Sequence, residues 1–264
     1  MFKRRRNVPF PGIGALSQWP GGGAQVARSA DRSHVAGPIA RRTTASVAGM
    51  SKPPFWDDAT RELALRDPVL SRLIAAFPGL HLARRGDPFT TLARSIVGQQ
   101  ISVKAAQSVW ERVVAACTER GRKANPARLD PQRVQRKRID TLRACGLSAN
   151  KASYIRDLAR HFTTARLDPG AWPGLDDESL IAELVDVKGI GRWTAEMFLM
   201  FHELRADVLP VADLGLQKAV ALHYFGGERP TAAQIRTLAE NWQPWRSVAT
   251  WYLWRSLDPV PVEY

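Results

Sequence analysis

The sequence predicts an all-α fold, on three observations. Apolar residues recur at three- and four-residue spacing through most of the chain, aspartate–proline pairs stand where helices would begin, and strand-like alternation is scarce. About ten helices are expected, with no internal repeat. With 264 residues and 45% apolar content, the chain has ample material for a buried core and fits one large domain or two small ones.

The first fifty residues contain Lys3-Arg4-Arg5-Arg6, the run Gly21-Gly22-Gly23, scattered serine and proline, and no sustained period. Such a segment cannot bury enough apolar surface to order itself. The expected division is a disordered basic tail over 1–51 and a helical domain over 52–264. An arginine-rich, acid-poor start is also the composition of a transit peptide, although the glycines and the missing amphipathic stripe weigh against it. Translation starting at Met50 is a third reading of the tail.

From Pro53 onward the punctuation is helical. A first periodic set is Leu70, Leu73, Ile74 and Phe77. Asp87-Pro88 places a capping acid before a proline at the first helical position, ahead of Leu92, Ile96 and Val97; Val109, Val113 and Val114 follow. Asp130-Pro131 repeats the start signal, and Gly146 stands where a helix would close. Ile155, Leu158 and Phe162 mark the next helix.

Residues 184 to 195 carry the most information: Leu-Val-Asp-Val-Lys-Gly-Ile-Gly-Arg-Trp-Thr-Ala. Apolar helical patterns flank two glycines separated by one residue (Leu180, Ile181, Leu184 and Val185 before; Ala195, Phe198, Leu199 and Phe201 after), which describes two helices joined by a tight hairpin. Gly189 and Gly191 allow the sharp turn and leave main-chain N–H groups bare at the N-terminus of the second helix. That end of the dipole suits a phosphate, so the hairpin would hold DNA without reading its sequence. Lys188 and Arg192 flank it and would add phosphate contacts. A strand-like stretch, Val208 to Val211, then leads to Asp213 at the head of a helical pattern with Leu216, Ala219 and Val220. There the dipole and free N–H groups favour a carboxylate.

Composition narrows the function classes. The net charge of +13 suggests a polyanionic partner, but residues 1–50 hold eight Lys or Arg against the single acid Asp31, leaving +6 on the rest. A localised phosphate-binding face fits this better than a chain coated in charge. Cys117 and Cys145 cannot make a four-cysteine zinc or iron–sulfur site and indicate a reducing compartment. His202-Glu203 begins like a zinc-protease helix, but Ala206 occupies the place of the second histidine, so no metal is expected. No apolar run approaches the ~18 residues that cross a bilayer, so no membrane association is expected. No coiled-coil heptad appears, and a monomer is expected.

The hairpin resembles the helix-hairpin-helix of the DNA glycosylase superfamily that includes endonuclease III and the 3-methyladenine DNA glycosylases, and the branch it resembles most is DNA-3-methyladenine glycosylase II. Pro210 to Lys218 resembles that family's following Asp-bearing loop, and Ser95 to Ala105 (Ser-Ile-Val-Gly-Gln-Gln-Ile-Ser-Val-Lys-Ala) is similar to the segment that probes the duplex. Pro244 to Trp254 extends the likeness, which runs from about Pro53 to the C-terminus. The resemblance implies two helical lobes with a cleft between them, Asp213 as the catalytic acid, Gln100 with its neighbour Gln99 as the wedge that enters the duplex, and Trp193 and Trp254 in the base pocket. Lys188 departs from the proline many relatives have at its position. The iron–sulfur cluster of the endonuclease III branch has no ligands here, and a monovalent cation at the hairpin is left open. About fifty tail residues cannot supply the β-rich domain of larger alkylation-repair relatives.

Cleaving an N-glycosidic bond develops positive charge at C1′, and one carboxylate beneath the sugar can both stabilise that charge and hold the attacking water. By position alone Asp213 reads as a helix cap; its spacing from the hairpin matches the catalytic acid of the resembled family. Relatives that also cut the strand place a lysine where this chain has Trp193, and an indole cannot form a Schiff base. Sequence motifs offer no second acid to protonate the leaving group. A purine alkylated at N3 or N7 already carries charge and leaves without that proton, and tryptophan faces favour a cationic base by ~0.5 to 2 kcal/mol. The expected function is a monofunctional DNA glycosylase that flips out and hydrolyses alkylated purines, of the 3-methyladenine and 7-methylguanine type, from double-stranded DNA in base excision repair. The alternatives are a glycosylase for another lesion, such as a deaminated base, and a non-catalytic helix-hairpin-helix module that only grips DNA. The expected location is the bacterial cytoplasm or, in a eukaryote, the nucleus.

Overall fold

The computed structural model describes residues 52–257 apart from 85, 120–124 and 126–127, so the tail predicted over 1–51 lies outside the described residues. Three aspartate–proline pairs open helices. Asp67 caps Pro68–Ala76 (α2) by accepting the N–H groups of Val69 and Leu70 at 2.8 and 3.1 Å, Asp87 caps Pro88–Gly98 (α3), and Asp130 caps Pro131–Gln135 (α5). The remaining helices are Trp56–Arg66 (α1), Val103–Cys117 (α4), Ile139–Ala144 (α6), Ala149–Thr163 (α7), Asp177–Val185 (α8), Arg192–Phe201 (α9), Leu214–Tyr224 (α10), Ala232–Glu240 (α11) and Arg246–Leu257 (α12).

The fold is therefore all-α, with twelve α-helices and no strand among the described residues. The two beyond the expected ten reflect the short α5 and α6, of five and six residues, which offer less than two turns of apolar periodicity. Gly146 closes α6 with φ +96°, as its sequence position suggested. Val208 to Val211 is not a strand, because no neighbouring strand offers partners. Instead the Val208 N–H donates to Ser247 Oγ at 2.9 Å, and the chain turns through the Asp213 N–H to Pro210 carbonyl bond, also 2.9 Å.

Two hydrophobic cores divide the helices. One gathers Phe89, Ile96, Trp110, Val114, Leu142, Ile155, Leu158, Trp172, Leu184 and Leu199 from α3 to α9. The other joins the two ends of the described chain: Trp56, Leu63 and Leu70 of α1 and α2 pack with Leu216, Ile235, Trp242, Val248 and Leu253 from α10 to α12. Phe201, at the end of α9, packs against both. Among the described residues no helix is long and apolar enough to cross a membrane.

Candidate active site

Where the two lobes meet, three helices converge on one carboxylate. Asp213 is the N-cap of α10, and its Oδ1 accepts the Leu216 N–H at 2.7 Å. The same oxygen accepts the indole N–H of Trp254, from α12, at 2.8 Å, while Oδ2 accepts that of Trp193, from the first turn of α9, also at 2.8 Å. Hydrogen bonds to an ionised acceptor contribute about 1.5 to 3 kcal/mol each. Together they fix a carboxylate that is only 6% exposed. Asp213, Trp193 and Trp254 are thus one cluster, in which both indoles serve as donors to the acid. The Trp254 ring also stacks on Phe201 with centroids 5.8 Å apart and an interplanar angle of 11°.

A second acid lies near. Glu196, one turn beyond Trp193 on α9, is 5% exposed, and burial pushes its carboxyl above the usual carboxylate range; the Arg192 guanidinium opposes that rise and Asp213 adds to it. The motifs gave no sign of this residue, because it sits inside the apolar run from Ala195 to Phe201 and reads as a single interruption of it. Arg192 is committed to acids as well. Its Nε donates to Glu196 at 2.9 Å and its Nη1 to Glu178 of α8 at 2.8 Å, so a phosphate reaching this guanidinium meets two carboxylates already there.

The hairpin lies between α8 and α9. Gly189 has φ +86°, and a Cβ there would stand 2.2 Å from Tyr154 Cδ2, so both backbone angle and space require glycine. Gly191 does not share that reason: its φ is an ordinary −98° and a Cβ would meet nothing within 4 Å. What its missing side chain leaves open is the approach to the first turn of α9, whose N–H groups have no intrahelical acceptors. The Lys188 N–H is taken up by Asp157 Oδ2 at 2.9 Å, which leaves its exposed side chain as the group available to a phosphate.

Gln99 and Gln100 lie in the turn between α3 and α4. Gln100 is exposed in the left-handed conformation, φ +58°, and the Gln99 side-chain amide donates to the Gly189 carbonyl at 2.9 Å. The candidate wedge is therefore tied directly to the hairpin. Five further tryptophans, Trp56, Trp110, Trp172, Trp242 and Trp251, are buried and behave as packing. Burial also pushes the Cys117 thiol up to about 11, the mark of an inert core cysteine. Among the described residues no group of three or more His, Cys, Asp or Glu is placed to hold a metal ion.

Residues 93–244, which span the wedge turn, the hairpin and Asp213, match the HhH-GPD superfamily of base excision DNA repair proteins. DNA-3-methyladenine glycosylase 1 of Schizosaccharomyces pombe is 30% identical over 71% of this chain and 80% of its own length. DNA-3-methyladenine glycosylase 2 of Escherichia coli is 35% identical over 70% of this chain and 64% of its own. A putative DNA-3-methyladenine glycosylase of Bacillus subtilis is 29% identical over 72% of this chain and 66% of its own length, so the chain spans just under two thirds of these two bacterial relatives. Among solved structures, the Bacillus halodurans DNA-3-methyladenine glycosidase superposes with a TM-score of 0.68 at 32% identity, covering 79% of this chain and 91% of that one. The S. pombe 3-methyladenine DNA glycosylase in complex with abasic DNA gives 0.65 at 27%, covering 78% and 99%. With the match covering more than half its length, including the wedge turn, the hairpin and Asp213, the chain belongs to the HhH-GPD superfamily of base excision DNA repair proteins.

Proposed function

We propose that the protein is a monofunctional DNA glycosylase that excises alkylated purines from duplex DNA. The observation that carries this reading is the Asp213 carboxylate, buried at the junction of the lobes and held by N–H donors from α9, α10 and α12. A carboxylate fixed in this way is a preorganised anion for the charge that develops at C1′. As the glycosidic bond breaks, its electron pair stays with the departing base, and a base already alkylated to a cation leaves neutral. Water then attacks C1′ and gives up its proton to Asp213 or to solvent. Trp193 occupies the position at which strand-cutting relatives place a lysine, so hydrolysis ends at the abasic site, and borohydride should trap no covalent adduct. The relatives named for 3-methyladenine and the structure solved with abasic DNA support this substrate class.

The test is release of methylated bases from methylated duplex DNA by wild type and by Asp213→Asn. An asparagine amide turns an N–H₂ group toward either an indole or the α10 backbone, both of which are donors. The variant should lose roughly hundredfold or more in excision while still binding abasic duplex. Undiminished excision by a folded variant would remove Asp213 from the mechanism. Release of uracil or hypoxanthine alone would move the substrate class to deaminated bases, and no release at all would leave a DNA-gripping module.

A further inference from the structure

The turn carrying Gln99 and Gln100 depends on a residue that belongs neither to the hairpin nor to the carboxylate cluster. Lys151, on the first turn of α7, sends its ammonium group to the end of α3, where it donates to the Val97 carbonyl at 2.8 Å and to the Gln99 carbonyl. The last carbonyls of a helix lack intrahelical donors and form the negative end of its dipole, so a cation there is a C-terminal cap. This cap is specific to its place. It comes from another helix, it is half-buried, and burial pushes the ammonium below its ordinary value.

The residue after the capped carbonyl is Gln100, exposed and held at φ +58°. A side chain bearing a Cβ rarely adopts that conformation unless its neighbours hold it there. On one side the holder is Lys151; on the other it is the Gln99 amide on the Gly189 carbonyl. Three residues along α7 from Lys151, Tyr154 packs beneath Gly189, and Asp157 accepts the Lys188 N–H. One helix thus sets the wedge turn and the phosphate-binding hairpin in fixed relation, and Lys151 is its contact with the wedge.

We propose that Lys151 is a positioning residue for duplex opening, holding Gln100 so that it enters the stack as the lesion leaves. The proposal rests on the glycosylase reading. Its consequence is selective. A loosened wedge should matter where a base must be pulled from a paired, stacked site, and matter little where no partner base holds it.

Single-turnover release of 7-methylguanine is to be compared in two duplexes, one with cytosine opposite the lesion and one with a tetrahydrofuran abasic analogue opposite. For Lys151→Met the rate on the paired lesion should fall at least about tenfold and the rate on the unpaired lesion less than about threefold, with Lys151→Arg restoring most of the loss. Equal losses on both substrates, or no loss on the paired one, overturn the proposal. If the methionine variant does not fold, Lys151→Gln, which keeps one amide donor for the two carbonyls, is read in the same way. If wild type releases no base from either duplex, the glycosylase reading fails, and Lys151 is judged by binding to abasic duplex with 2-aminopurine beside the gap. Wild type should then brighten the probe and Lys151→Met should not; equal brightening overturns the proposal.

Discussion

A carboxylate offers about four acceptor directions, and three of those of Asp213 are filled by the N–H groups of Leu216, Trp193 and Trp254. Under the proposed mechanism the direction that remains is the one a sugar or an attacking water would use, and the three bonds decide where it points. Replacing either tryptophan by phenylalanine keeps a ring of similar shape and removes one donor. Trp193→Phe and Trp254→Phe should each slow single-turnover excision by about tenfold, the equivalent of one charge-assisted hydrogen bond of roughly 1.5 kcal/mol, with abasic-duplex affinity changed far less. If either variant lost affinity and kept its rate, the indole would be a binding surface and not a holder of the acid. Family likeness placed Asp213, Trp193 and Trp254 together in the sequence, but the N–H bonds themselves were not legible, because Trp254 lies 41 residues beyond Asp213 and only folding brings it back. Glu196 was missed for a related reason: a lone polar residue in an apolar helix gives no hint of whether it faces out or in.

At the scale of elements, the hairpin shows how two identical residue types answer to different demands. Gly189 is required by its own backbone and by the Tyr154 ring, whereas Gly191 is required by neither. Gly189→Ala should therefore lower stability by about 1 to 3 kcal/mol, through the strained φ and the overpacked ring together. Gly191→Ala should leave the unfolding midpoint in place and weaken DNA binding, since its methyl group would project into the space a phosphate must enter. Urea titration beside DNA-binding isotherms checks both, and a Gly191→Ala variant with full affinity would move the phosphate elsewhere. Helix starts at Asp87 and Asp130 were legible because an acid before proline satisfies the first N–H groups and presets φ, and Asp67-Pro68 carries the same signal. The polar contacts of α7 were not. Lys151, Asp157 and His161 reach the Val97 carbonyl of α3, the Lys188 N–H and the Asp186 carboxylate, all contacts between segments distant in sequence.

For the whole molecule, the terminal lobe must be assembled from opposite ends of the described chain, and the most deeply buried polar tie between them is made by Asp67. Asp67 spends one oxygen capping α2 and gives the other to the Tyr224 hydroxyl at 2.8 Å and the Trp242 indole N–H at 3.0 Å, across separations of 157 and 175 residues. The acid is only 4% exposed and Trp242 is fully buried, so truncating the carboxylate strands the indole N–H away from water, takes the partner from the half-buried Tyr224 hydroxyl and removes the cap. The stranded indole costs about 1 to 3 kcal/mol, the lost Tyr224 hydrogen bond about 1 kcal/mol and the cap about 1 kcal/mol. Asp67→Ala should thus lower unfolding free energy by roughly 3 to 5 kcal/mol, a large share of the 5 to 15 kcal/mol typical of folded proteins. Neither Tyr224 nor Trp242 donates to Asp213, whose partners are Leu216, Trp193 and Trp254. The folded fraction of Asp67→Ala at 25 °C should consequently excise at the wild-type rate per folded molecule. A variant of wild-type stability would show that the two ends are held without this acid; a stable variant with lost activity would mean that this lobe shapes the candidate active site at a distance.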